Sequence, residues 1–267
     1  MQCPTKIAVG LDAGLATPHV FAEAKLLART FGAELVLIHA IPEAPPLSPG
    51  FDILADQVRE RLEDLRRQAT AEGVTVSEEF HIRYGAPHEV ILAVQKAVSA
   101  NWIVIGAGGK STLDRLLLGS SAEALLREAT QPVWIVRPGR DLVDLDRILV
   151  AVDGTATGDE ALTGALTLAR SFVATLRILT VGAPADVERI QGELGERLDL
   201  HGIEVEFSSR EGEVEAAILA ELSSSSADLL VIGHARRRGL FRLLHANTAE
   251  ALTRKSPCSF LTLHAHA

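Results

Sequence analysis

KIAVGLDAG, residues 6–14, returns as RILVAVDGT at residues 147–155. Asp12 falls on Asp153, an offset of 141, and LVLIHA at 35–40 meets LRILTV at 176–181 with the same offset. Further along the offset is 127: YGAPHEVILAV from Tyr84 meets EGEVEAAILAE from Glu211, IVIG at 103–106 meets LVIG at 230–233, and AEAL at 122 recurs at 249. Self-similarity of this kind marks a repeated structural unit, so the chain reads as two copies of one domain. The fall from 141 to 127 leaves 14 extra residues in copy one, in an interval that holds PEAPPLSPG at 42–50. Prolines remove donors and fix φ, so that stretch reads as a loop. The pattern breaks again at PGRDLVDLD, residues 138–146, which reads as a linker and puts the domains at 1–138 and 145–267.

Within copy one, short apolar runs alternate with amphipathic stretches. IAVGLD, LVLIHAI, WIVIG and VWIVR read as strands, and VTVSEEFHI at 74–82 alternates like one. Residues 17–31, with Ala22, Leu26 and Leu27 on one face, read as a helix, as do 56–72, 87–99 and 120–130. Strands separated by helices imply a parallel sheet covered on both faces. The expected class is α/β: two tandem doubly wound five-stranded parallel sheets of order 3-2-1-4-5, the Rossmann-like nucleotide-binding arrangement.

Composition narrows the partners. With 267 residues, 47% of them hydrophobic and 23% charged, the chain has the balance of a globular protein of two ordinary domains. A net charge of -9 repels nucleic acid and anionic membrane, and 4% aromatic residues offer few stacking platforms for bases. Any anion site must therefore be local. Cys3 and Cys258 give neither a disulfide framework nor zinc spacing. No run reaches the length of a membrane span and the N-terminus shows no cleavage pattern, so a cytoplasmic location is expected.

The chemistry is concentrated after the fourth strand of copy one. Ile105 and Gly106 are followed by Gly109 and, nine residues later, by Gly119-Ser120-Ser121 at the start of a helix. Glycines let backbone N–H groups approach phosphate oxygens, and a helix N-terminus adds oriented donors and partial positive charge. Asp12, at the carboxyl end of the first strand, supplies an acceptor for a ribose or base. In the expected strand order Asp12 and Gly106 face each other across the switch-point crevice. Two similar motifs fail. A P-loop needs glycine where Val104 stands, and the dinucleotide fingerprint needs glycine at Ser111 and a place after the first strand.

In these residues copy one resembles the universal stress protein family, whose ATP-binding members carry Gly, two residues, Gly, nine residues and Gly-Ser/Thr at this place. Gly106, Gly109, Gly119 and Ser120 match that pattern. The resemblance implies that Asp12 contacts adenosine, that the backbone of Ala40 meets adenine, and that Ile105 and Ser121 flank the cradle. It implies ATP, with or without Mg²⁺, as the ligand and a stress-response role with little turnover. It also implies a tandem form in which two domains pack like a dimer, and homodimers of whole chains are a further expectation. The edge position of the fifth strands points the same way, with Trp134 and Phe260 as anchors. Two positions depart from the family pattern: Gly108 stands where many members have His, and Gly14 where many have a small hydroxyl residue. Copy two keeps Gly233 but has Arg236, Ala246 and Asn247 at the positions of Gly109, Gly119 and Ser120, which implies a lost or altered ATP site. The basic run 236–238 reads as a solvated turn.

No metal spacing links His39, His81, His88, His234 and His245, which read as surface or satisfied core residues. No nucleophile–base pair is visible, so no catalytic residue is assigned. Three functions stay open: a nucleotide-binding regulator with an unidentified protein partner, an interaction scaffold with a vestigial site, and a slow ATPase.

Overall fold

The structure, a computed structural model, describes residues 1–12, 17–41, 51–108, 119–137, 144–197, 200–234, 252 and 255–264. The chain divides into two compact units, Gln2–Val143 and Asp144–Ala267. The first contains β1 (Lys6–Gly10), α1 (Thr17–Phe31), β2 (Glu34–Ile41), α2 (Phe51–Ala71), β3 (His81–Tyr84), α3 (Pro87–Ala97), β4 (Trp102–Gly106), α4 (Ser120–Glu128) and β5 (Val133–Val136). Its strands are parallel and ordered β3-β2-β1-β4-β5. The second contains β6 (Arg147–Val152), α5 (Ala156–Phe172), β7 (Thr175–Val181), α6 (Pro184–Arg197), β8 (Val205–Arg210), α7 (Val214–Ser225), β9 (Leu229–His234) and β10 (Ser259–His264). Its order, β8-β7-β6-β9-β10, is the same winding. Each unit is thus the expected doubly wound α/β sheet.

The strands carry unbroken apolar runs because both sheet faces are covered. Ile7, Ala8 and Val9 of β1 and Ile103 and Val104 of β4 are fully buried. Helix α1 covers them with Val20, Phe21, Ala24, Leu27 and Ala28, a spacing that returns to one face every three or four residues. Of the residues expected on that face, Leu26 and Leu27 are buried and Ala22 is half-buried. Each such aliphatic side chain contributes about 1.5–3 kcal/mol when fully removed from water.

The alternating stretch at 74–82 does not form a strand along its length. Val76 makes a single bridge to Leu35, and regular pairing begins only where His81 meets Ile38. The partner offset changes from 41 (76 minus 35) to 43 (81 minus 38), so two extra residues bulge out between the contacts. Glu78 and Glu79 lie in that bulge, and their charge is better accommodated in water than in a ladder. Helix α2 starts at Phe51, five residues before the position the charge pattern suggests.

The two copies end their first helix differently. Gly32 follows α1 with φ 67°, whereas its counterpart Val173 caps α5 with φ 56° and is 88% exposed. A β-branched residue in the left-handed region is strained by about 1–2 kcal/mol. Val173→Gly is therefore expected to stabilise the second unit by about 1 kcal/mol, little burial being lost with the side chain. Chemical denaturation followed by circular dichroism checks this; an unchanged or lower midpoint would remove strain as the explanation.

Candidate functional site

The carboxyl ends of β1, β2 and β4 open on a cleft of about 380 Å³ in the first unit. Gly10 pairs with Ile38 on one side and Ile105 on the other, so the cleft sits where the winding reverses. Asp12, Ala40, Ile105, Gly106, Gly119, Ser120 and Ser121 all line it. Gly109 lies outside the described residues, as do Arg236, Ala246 and Asn247 of the second copy. Val20 of α1 and Pro87 and Ile91 of α3 supply apolar wall. Their spacing gave no sign of this, since core and cleft residues share one helical period.

The base of the glycine loop is closed by a backbone hydrogen bond. The Gly119 N–H donates to the Ala107 carbonyl at 2.7 Å, and the Gly119 carbonyl accepts from Ala122 and Glu123 to begin α4. Gly108 adopts φ 90°, and a Cβ there would stand 2.8 Å from the Gly119 Cα. Glycine at 108 is thus a requirement of this loop, which accounts for the departure from the pattern with His. In the first turn of α4 the Ser120 and Ser121 amides have no carbonyl within their own helix to reach. They stand at the cleft wall with the positive end of the helix dipole behind them, the setting in which phosphate oxygens are bound.

At the other end of the cleft, the Asp12 carboxylate accepts a hydrogen bond from the Thr17 hydroxyl at 2.9 Å, and that hydroxyl also meets the Asp12 carbonyl. In the second unit Asp153 receives the Thr155 hydroxyl at 2.5 Å and the Thr155 N–H at 3.0 Å, and Thr155 also caps α5. Thr17 in copy one therefore supplies to Asp12 the kind of hydroxyl that Gly14 lacks.

The universal stress protein family model matches residues 4–137 and 183–264, one segment in each unit. The chain belongs to the universal stress protein family. A universal stress protein of Thermus aquaticus is 33% identical over 118 residues, which is 43% of this chain and 86% of the relative. One from Methanocaldococcus jannaschii is 29% identical over 119 residues, 42% of this chain and 69% of the relative. Among solved structures, a universal stress protein from Archaeoglobus fulgidus shares the fold over 100% of both chains, with a TM-score of 0.82 at 21% identity. Among the described residues of this universal stress protein, no helix is long and apolar enough to cross a membrane.

His39, which sequence reasoning set aside, also lines the cleft beside Ala40. Its Nδ1 lies 2.8 Å from the Leu11 carbonyl. A carbonyl only accepts, so Nδ1 carries the proton and Nε2 is left as an acceptor. Burial pushes the His39 imidazole below its usual value near 6.5, against the opposing pull of the Leu11 carbonyl and Asp12. Burial also lowers His81, against the nearby Glu79 carboxylate. Both are neutral in the folded unit at pH 7. Between the lowered folded values and about 6.5, the unfolded chain takes up protons that the folded unit refuses. Stability from these groups is complete above about pH 6.5 and falls as pH drops through that window. Urea midpoints read by tryptophan fluorescence at pH 7.5 and pH 5.5 should show the loss, and His39→Gln with His81→Gln should reduce it. An equal loss in the double variant would assign the acid sensitivity elsewhere.

Proposed function

We propose that the first unit binds one ATP, with or without Mg²⁺, as the regulatory ligand of a stress-response protein that turns it over little or not at all. The phosphates lie over the Ser120 and Ser121 amides and the glycine loop, and the adenosine end lies between Asp12 and Ala40. The observation that carries this reading is the meeting of seven sequence-predicted residues, from three strand ends and one helix N-terminus, around one cleft. Its volume falls within the roughly 300–1,000 Å³ of small-molecule sites. The mixed lining suits the ligand: Val20, Pro87 and Ile91 offer apolar surface to a base, and the α4 terminus offers donors to phosphate.

The second unit contributes no equivalent ATP site in this reading, because Arg236 stands where the backbone of Gly109 would meet phosphate. Calorimetry with ATP is expected to give about one site per chain, and Gly109→Arg is expected to abolish it in a folded protein. Two equal sites would defeat the assignment to one copy. Sustained phosphate release at multiple turnover, lost in the same variant, would make the protein an ATPase instead.

A further inference from the structure

A second cavity, of about 230 Å³, adjoins the proposed nucleotide cleft in the first unit. Leu11, Asp12 and His39 belong to the walls of both. The outer wall is one face of α2, where Leu54, Val58, Leu62 and Leu65 recur at helical spacing. Leu62 is buried while Leu54 is 44% exposed, so an apolar lane runs from the core to the mouth. Arg61 stands in this lane. Further along α2, Arg66 pairs with Glu63 and Arg67 with Asp64, but among the described residues no carboxylate pairs with Arg61. Its charge is felt at His39, on the opposite wall.

The matching place in the second unit is filled differently among the described residues. There the Ile190 side chain of α6 reaches Gly154, the residue after Asp153, approaching to 3.5 Å of where a Cβ would stand. Helix α6 has 14 residues against 21 in α2.

We propose that this cavity is a second small-molecule site, taking a compact amphipathic carboxylate: a single-ring or short branched apolar body with one anionic head. Apolar cavities of roughly 150 Å³ hold a benzene ring, and drug-sized pockets begin near roughly 300 Å³. The volume here admits one ring or a short chain and no more. The apolar body lies against Val58, Leu62 and Leu65. The carboxylate is held by the Arg61 fork, whose geometry suits two parallel hydrogen bonds. Because three side chains are shared with the neighbouring cleft, occupancy of one cavity changes affinity in the other, and by linkage the effect is reciprocal. Only this coupling rests on the ATP reading; the carboxylate site itself does not.

The test is a titration of the full chain with phenylacetate, with phenylacetamide lacking the charge and acetate lacking the ring, followed by calorimetry and by the imidazole signals of His39. Phenylacetate is expected to bind saturably, with the other two at least about tenfold weaker. Arg61→Gln should weaken phenylacetate about tenfold, and Val58→Phe, which fills a half-exposed part of the wall, should abolish its binding. Neither variant should change ATP affinity measured alone by more than about twofold. Phenylacetate that fails to saturate, or that binds both variants as tightly as the parent, overturns the proposal. Binding with the expected order in a protein that does not bind ATP supports the carboxylate site while defeating the nucleotide reading.

Discussion

Replacing Gly108 with valine is expected to weaken ATP binding about a hundredfold, or ~2.7 kcal/mol, while the first unit stays folded. Two costs combine. Gly108 sits at φ 90°, a region that L side chains rarely adopt. A Cβ would also stand 2.8 Å from the Gly119 Cα and 2.9 Å from its nitrogen. Both contacts are backbone, so relief requires Gly119 to move, and the Ser120 and Ser121 amides move with it. Displacing positioned groups by about an ångström is enough for losses of this size. Gly119→Ala is the graded control. Its Cβ would meet the Gly108 Cα at 3.2 Å and the Ala107 carbonyl at 3.5 Å, a tighter fit without a forced left-handed conformation. Its loss should stay under about tenfold. Calorimetry on variants with unchanged circular dichroism reads both. Unaltered affinity in folded Gly108→Val removes the loop closure from the binding account. A larger loss at Gly119 than at Gly108 would point to a direct ligand contact there.

The largest stability effect is expected at Trp134, whose truncation to alanine should cost the first unit about 3–5 kcal/mol. Trp134 is buried beside Trp102, with ring centroids 6.5 Å apart, and its indole N–H donates to Glu23 Oε2 at 2.6 Å. Glu23, on α1, is only 2% exposed. Alanine therefore leaves a void and also takes a hydrogen-bond donor from a buried carboxyl group. Trp134→Phe keeps most of the ring and removes only the donor, for which about 1–3 kcal/mol is expected. The chain has two tryptophans, both in the first unit, so Trp102 fluorescence follows the unfolding of that unit in either variant. Costs below about 1 kcal/mol in both would show that the pair carries little of the core's stability. The Trp134 indole N–H is committed to Glu23 within its own unit.

Much of the candidate site was legible in the sequence. The glycine spacing, the helix start at Ser120 and the strand-end Asp12 are short-range signals, each readable within a few residues. Their meeting in one cleft followed from the doubly wound order, which brings the ends of β1 and β4 together. His39 was not legible. A lone histidine at the end of an apolar strand has no spacing to mark it, and its role depends on a carbonyl 28 positions earlier. The part played by Gly108 was hidden for a similar reason. A third glycine near two others looks like slack until the approach of Gly119 shows that a side chain would not fit.

By itself the sequence determined the duplication, the α/β class, the strand order and the end of the sheet at which the candidate site lies. These are carried by repetition and by hydrophobic period, which survive without knowledge of any contact. Periodicity failed at 74–82, where alternation continued through residues that the sheet expels. The tertiary structure alone decided the partner of Glu23, 111 residues distant, the tautomer of His39, the backbone closure at Gly108 and the cavity beneath α2. Each depends on which atoms of distant segments come within a few ångströms. A pattern that reports only how often apolar residues recur carries no information about that distance.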